Sequence, residues 1–171
     1  MKVIDIINSE YFSILMEGYN KVLYHGTNKD ELDISNKEIW LAEDREYAEL
    51  WGRNIFEVVV KLGNTLDVYN DLGKKRFSLK QHIKYLNSKG VDTSEFLFVI
   101  GEDINTKDKY SFWNILAGDY SSKYSWLSTD IFNSGYDSIS IDEYGYRYSQ
   151  NCRTYLINNP IDKVISINKI N

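Results

Sequence analysis

Cysteine and proline each occur once in 171 residues, and histidine and methionine only twice each. The single thiol, Cys152, excludes an internal disulfide and any zinc site built on cysteine pairs. Two imidazoles, His25 and His82, are too few for a histidine-rich metal centre. Neither a Gly-x-Gly-x-x-Gly pattern nor a Walker loop is present, so phosphate cradling by a glycine-rich turn has no support. No apolar run approaches the roughly 20 residues of a membrane span. The stretch Met1 to Phe12 holds one lysine and an apolar segment broken by Asp5 and Asn8, unlike a secretory leader. The expectation is a soluble cytoplasmic protein with no membrane partner. Positive charge is also short: 20 basic against 25 acidic residues give −5, which argues against a general nucleic-acid-binding surface.

What is present is an ordinary globular composition with a surplus of flat side chains. Hydrophobic residues make up 43% and charged residues 26%, which excludes a disordered chain. Fourteen Tyr, seven Phe and four Trp furnish enough rings to line a core or a cleft. A chain of this size buries roughly 70% of its unfolded surface and needs no metal or disulfide to hold a core. No repeat or Gly/Ser linker divides it, so residues 1–171 read as one domain.

Periodicity predicts the elements. Apolar residues at Ile4, Ile7, Tyr11, Ile14 and Leu15 predict a helix. Lys21 to His25 and Glu38 to Leu41 read as short strands, and Asp44 stands where it would cap a helix over Arg45 to Trp51, stopped by Gly52. Phe56 to Leu62 is β-branched and apolar, a buried strand, with Leu66, Val68 and Tyr69 as an extended continuation. Helical patterns follow around Phe77 to Leu86, Phe112 to Leu116 and Ser128 to Phe132. Strands then return at Asp137 to Ile141, Thr154 to Ile157 and Lys163 to Ile167. The order is that of an α+β fold with a helical insertion at about 70–133, without regular βαβ alternation.

Three short segments carry the chemistry. The first is Tyr24-His25-Gly26-Thr27. The second is Trp40-Leu41-Ala42 with the following Tyr47-Ala48 and Trp51-Gly52. The third is Gly135-Tyr136-Asp137-Ser138-Ile139 through Asp142-Glu143-Tyr144-Gly145, then Thr154 to Pro160. In this order they resemble the ADP-ribosyltransferase superfamily, in its His-Tyr-Glu-like branch, and in pattern the small phage-encoded anti-CRISPR ADP-ribosyltransferases. The resemblance covers about residues 21–69 and 134–168.

That resemblance implies a split antiparallel β-sandwich around an NAD cleft. It implies a mono-ADP-ribosyltransferase that moves ADP-ribose from NAD+ to a macromolecular target with release of nicotinamide. The acidic balance favours a host protein over nucleic acid as the target, reached in the host cytoplasm if a phage encodes the chain. By the resemblance, His25, Gly26 and Thr27 meet the ribose and amide of NAD+, with the missing Cβ of Gly26 letting a planar ring lie against the chain. Trp40, Ala42, Tyr47 and Trp51 are then the candidates around the nicotinamide ring. Trp40 departs from the family, which usually has Tyr there. The basic run Lys74 to Lys84 is a candidate for the pyrophosphate or for an acidic target surface, and Arg147 and Arg153 are alternatives for the pyrophosphate.

Cleaving the nicotinamide–ribose bond develops positive charge on the sugar, which a fixed carboxylate stabilises. The family's usual Glu position, just before the penultimate strand, reads Asn151-Cys152-Arg153-Thr154 and holds no acid. Asp142 and Glu143 are the substitutes. Strand alternation puts Ile139 and Ile141 on the core face, Asp142 on the other face with Ser140, and Glu143 opposite Asp142. On the premise that the site lies away from the core, Asp142 is preferred. The alternative to an enzyme is a catalytically inactive module of this fold that binds NAD or a protein partner.

Overall fold

The computed structural model describes residues 19–68, 79–94, 116, 124–144 and 151–170. The helix expected over Ile4 to Glu17, the basic run at Lys74 to Arg76, and Arg147 lie outside them. In chain order the described elements are β1 (Tyr19–Thr27), β2 (Glu38–Ala42), α1 (Arg45–Ala48), β3 (Asn54–Leu62), β4 (Thr65–Asp67), α2 (Leu79–Ser88), α3 (Trp126–Asn133), β5 (Ser138–Tyr144), β6 (Asn151–Asn158), α4 (Pro160–Lys163) and β7 (Val164–Lys169). No described helix is long and apolar enough to cross a membrane.

The seven strands form one mixed sheet in the order β4-β5-β6-β2-β1-β3-β7, an α+β fold. A split antiparallel sandwich was expected, and two features differ from it. First, β4 runs parallel to β5, with Thr65 opposite Ser138 and Asp67 opposite Ser140. A parallel pair requires a long crossover, and the stretch between β4 and β5, which carries α2 and α3, supplies it. Second, the hydrogen bonding is continuous, yet barely so at one place. Between β1 and β2 the only partners are Tyr24 and Ala42. On either side of that bridge the ladders are long: β1 pairs β3 from Tyr19↔Leu62 to Thr27↔Asn54, and β5 pairs β6 from Ser138↔Ile157 to Tyr144↔Asn151. One sheet is thus joined between its two halves by a single backbone bridge.

Alternation distributes the apolar residues between two cores. One joins Leu23 of β1 and Phe56, Val58, Val60 and Leu62 of β3 to Ile39 and Leu41 of β2 and Tyr155 and Ile157 of β6. These nine are at most 7% exposed, so this core binds the two halves together where the ladder does not. The other core lies on the opposite face of β5 and β6. There Ile139, Ile141 and Leu156 pack with Leu66, with Leu127, Ile131 and Phe132 of α3, and with Ile83 of α2. The α2 and α3 segments were read from their spacing in nearly the same places, and Val68 is already helical rather than a continuation of β4.

α1 is only one turn long, too short to hold itself. Its N-terminus is capped by Asp44, whose carboxylate accepts the amides of Glu46 at 2.7 Å and Tyr47 at 3.3 Å. Its far end is docked onto β1 by two glycines. A Cβ on Gly26 would run into the carbonyl of Ala48, and one on Gly52 would run into the backbone of Thr27. Both positions need glycine so that two backbones can touch.

Candidate active site

Where β1 and β2 part, the structure opens a cleft of about 280 Å³. Its walls come from four pieces of chain. β1 supplies Tyr24, His25 and Gly26; β2 supplies Trp40, Leu41 and Ala42; α1 and the turn after it supply Tyr47, Ala48 and Trp51; β5 and β6 supply Glu143 and Thr154.

His25 closes the parting. Past Tyr24 the β1–β2 ladder has no further backbone partners, and the imidazole Nδ1 instead lies 2.8 Å from the carbonyl of Trp40. A carbonyl can only accept, so Nδ1 donates, and in the neutral ring Nε2 is left as an acceptor. The side chain takes over from the ladder at the place where the strands diverge.

Trp40 is half-buried, with part of its ring packed on the helical core, whereas Trp51 is 57% exposed at the rim. Tyr47 and Trp51 stand with ring centroids 6.3 Å apart and planes tilted by 59°. Two indoles and a phenol thus border one opening, an arrangement that holds flat ligands.

Glu143 is 6% exposed, and each of its oxygens accepts a hydroxyl. The Thr154 hydroxyl donates to Oε1 at 2.6 Å, and the Tyr47 hydroxyl donates to Oε2. Among the described residues lining the cleft there is one carboxylate and no lysine or arginine. Burial, followed by the hydrogen bond to Glu143 and its charge, pushes the Tyr47 phenol far above its ordinary range, so it stays a donor. Burial also pushes the Cys152 thiol up to about 11, so it is protonated at neutral pH and supplies no thiolate nucleophile. Cys152 instead packs against Ala42 and Tyr47 behind the cleft.

Of the residues singled out from sequence, the cleft brings together His25, Gly26, Trp40, Ala42, Tyr47, Trp51 and Glu143. Four differ in position or role. Asp142, the acid preferred above, lies on the opposite face of β5, where Arg153 Nε donates to it at 2.9 Å. The alternation along Ser140 to Glu143 is as read, and of the two acids Glu143 is the one that faces the cleft. Beyond the end of the helical core, the core face of β5 is the wall of the cleft. Thr27 is not among the cleft residues, and its backbone is covered by Gly52. The space a Cβ would fill at Gly26 is occupied by α1, so its glycine serves helix docking rather than a stacked ring. Arg153 is engaged on the far side by Asp142 and, at 3.1 Å, by Asp67. Thr154 was missed as a site residue; its signal was its place two residues along the strand from Cys152, on the same face and across from Ile141.

No family model matches the chain, and no curated protein matches it. A solved structure described as an anti-CRISPR protein shares the fold. It is 16% identical, with a TM-score of 0.50, over 91% of this chain and 98% of that one. At that identity the likeness concerns the fold.

Proposed function

We propose that the chain is an NAD+-dependent mono-ADP-ribosyltransferase with Glu143 as its catalytic carboxylate. The observation that supports it is the convergence of His25, Gly26, Trp40, Ala42, Tyr47 and Trp51, from separate segments, on one cleft with a buried acid in its wall. The donor set suits this substrate. A buried carboxylate with no cation against it among the described residues matches the positive charge of a nicotinamide ring and of the ribose as that ring departs. Indole faces on Trp40 and Trp51 match a flat heteroaromatic ring, and the free edge of β1 beyond Tyr24 offers backbone groups for its amide.

In this reading His25, fixed by the Trp40 carbonyl, orients the adenosine ribose through Nε2. Trp40, Tyr47 and Trp51 keep water from the nicotinamide side. Glu143 stabilises the positive charge that develops on the ribose carbon as the bond to nitrogen breaks and its electron pair leaves with nicotinamide. A nucleophile of the target then attacks that carbon. A protein target fits the net charge of −5 better than a nucleic acid does. The fold shared with an anti-CRISPR protein makes CRISPR effector complexes the first targets to assay.

The test is transfer of label from adenine-labelled NAD+ into the proteins and nucleic acids of a bacterial lysate. The wild-type chain is expected to label a protein band that His25→Ala and Glu143→Gln both abolish. Retained NAD+ binding with neither label nor nicotinamide release would establish an inactive NAD-binding module instead. Label in nucleic acid alone would overturn the protein target.

A further inference from the structure

Glu143 has two hydroxyl partners, and they are not equivalent. Thr154 belongs to the same β5–β6 hairpin, two register positions from Glu143, which faces Cys152. It therefore follows the carboxylate wherever that hairpin goes. Tyr47 lies 96 residues earlier, on α1, the one-turn helix that also leads to Trp51 and rests on Gly26. We propose that the Tyr47 hydroxyl is the positioning group of the cleft: it ties the Glu143 carboxylate to α1 and so holds the acid and the aromatic wall at one separation. The inference rests on the reading of Glu143 as the acting carboxylate. It adds that Tyr47, besides offering a ring to the ligand, works through its oxygen.

The geometry gives the tie its force. α1 has a single turn of its own, one capping carboxylate at its start and a backbone contact at its end. Tyr47 is 8% exposed and its oxygen reaches a carboxylate that is 6% exposed, so the contact lies largely away from bulk water. The other titratable groups of the described residues near this pair are Cys152 on β6, neutral at working pH, Asp44 at the start of α1, and His25 on β1. None of the hydrogen bonds at the cleft links His25, Asp44 or Cys152 to the carboxylate. Phenol and threonine hydroxyl carry the positioning, and only the phenol crosses from one wall to the other.

Tyr47→Phe keeps the ring and removes the donor. In the full-length wild-type protein, the Tyr47 hydroxyl proton is expected as a slowly exchanging, downfield 1H resonance. Tyr47→Phe should abolish it, and Glu143→Gln, which offers only a neutral acceptor, should move it upfield. In nicotinamide release, Tyr47→Phe is expected to lower kcat about tenfold while KM for NAD+ stays within about twofold, the signature of lost aim rather than lost binding. A wild-type spectrum without that resonance, or a Tyr47→Phe protein with unchanged kcat, overturns the proposal. If Tyr47→Phe does not fold, the wild-type and Glu143→Gln spectra decide by themselves. A wild-type chain that shows the resonance and releases no nicotinamide leaves the tie between α1 and β5 standing and removes the transferase reading.

Discussion

Asp142 and Glu143 follow one another on β5 and live in opposite surroundings. Asp142 accepts from Arg153, which also reaches Asp67, so two carboxylates share one guanidinium on a face where their side chains are 17% and 19% exposed. Glu143, one residue on, is turned by the strand pleat into the cleft and is met, among the described residues, only by hydroxyls. The next strand repeats the contrast, with Arg153 on the first face and Thr154 on the second. An acid whose charge is already matched by a cation holds strands together. An acid met by neutral donors has no such cation against it among the described residues.

The largest test of that contrast compares the two acids directly. Glu143→Gln is expected to reduce nicotinamide release about 10²–10³-fold, as removal of a charge-stabilising group does. Asp142→Asn should stay within a few-fold of wild type. An inverted result would move the chemistry to the other face. The β6 neighbours sharpen the same comparison through stability. Thr154→Val takes a donor from a buried carboxylate and is expected to cost about 2 kcal/mol in urea denaturation. Arg153→Met, on the partly exposed face, should cost about 1 kcal/mol.

The smallest effect concerns pH. On the Arg153 face, Glu43 accepts from Lys21 and from the Tyr155 hydroxyl at 2.7 Å. Burial on its own would raise the Glu43 pKa, but the hydrogen bonds from Lys21 and Tyr155 outweigh it and hold the carboxyl below its ordinary value. A depressed folded-state pKa stabilises above the ordinary carboxylate range, and that contribution is lost as the pH falls through the depressed value. Acid titration of stability is expected to be shallower in Lys21→Met than in wild type. The difference is modest because the Glu43 side chain is 38% exposed.

Much of this arrangement was legible before any coordinates. β3 announces itself as a β-branched run, and Asp44 caps α1 where the sequence places a cap. The strands predicted from Glu38 and Thr154 lie inside β2 and β6, and the one predicted from Asp137 starts one residue ahead of β5. Local signals of this kind belong to the residues themselves. Illegible were the relations between distant segments. The parallel pairing of β4 with β5 depends on where a long crossover returns the chain. The fate of Gly26 depends on Ala48 approaching it, and the choice between Asp142 and Glu143 on which face the helices leave open. Alternation told correctly that the two acids part ways; only packing tells which way leads into the cleft.

The lone Tyr24↔Ala42 bridge has a consequence for how the molecule breathes. Amide hydrogens of β1 and β3, locked along their whole shared length, should exchange as one slow cooperative unit, and those of β5 and β6 as another. A ligand seated in the cleft touches both units at once. Its arrival should slow exchange in the two together, so occupancy of the cleft is readable by mass even where no bond is broken.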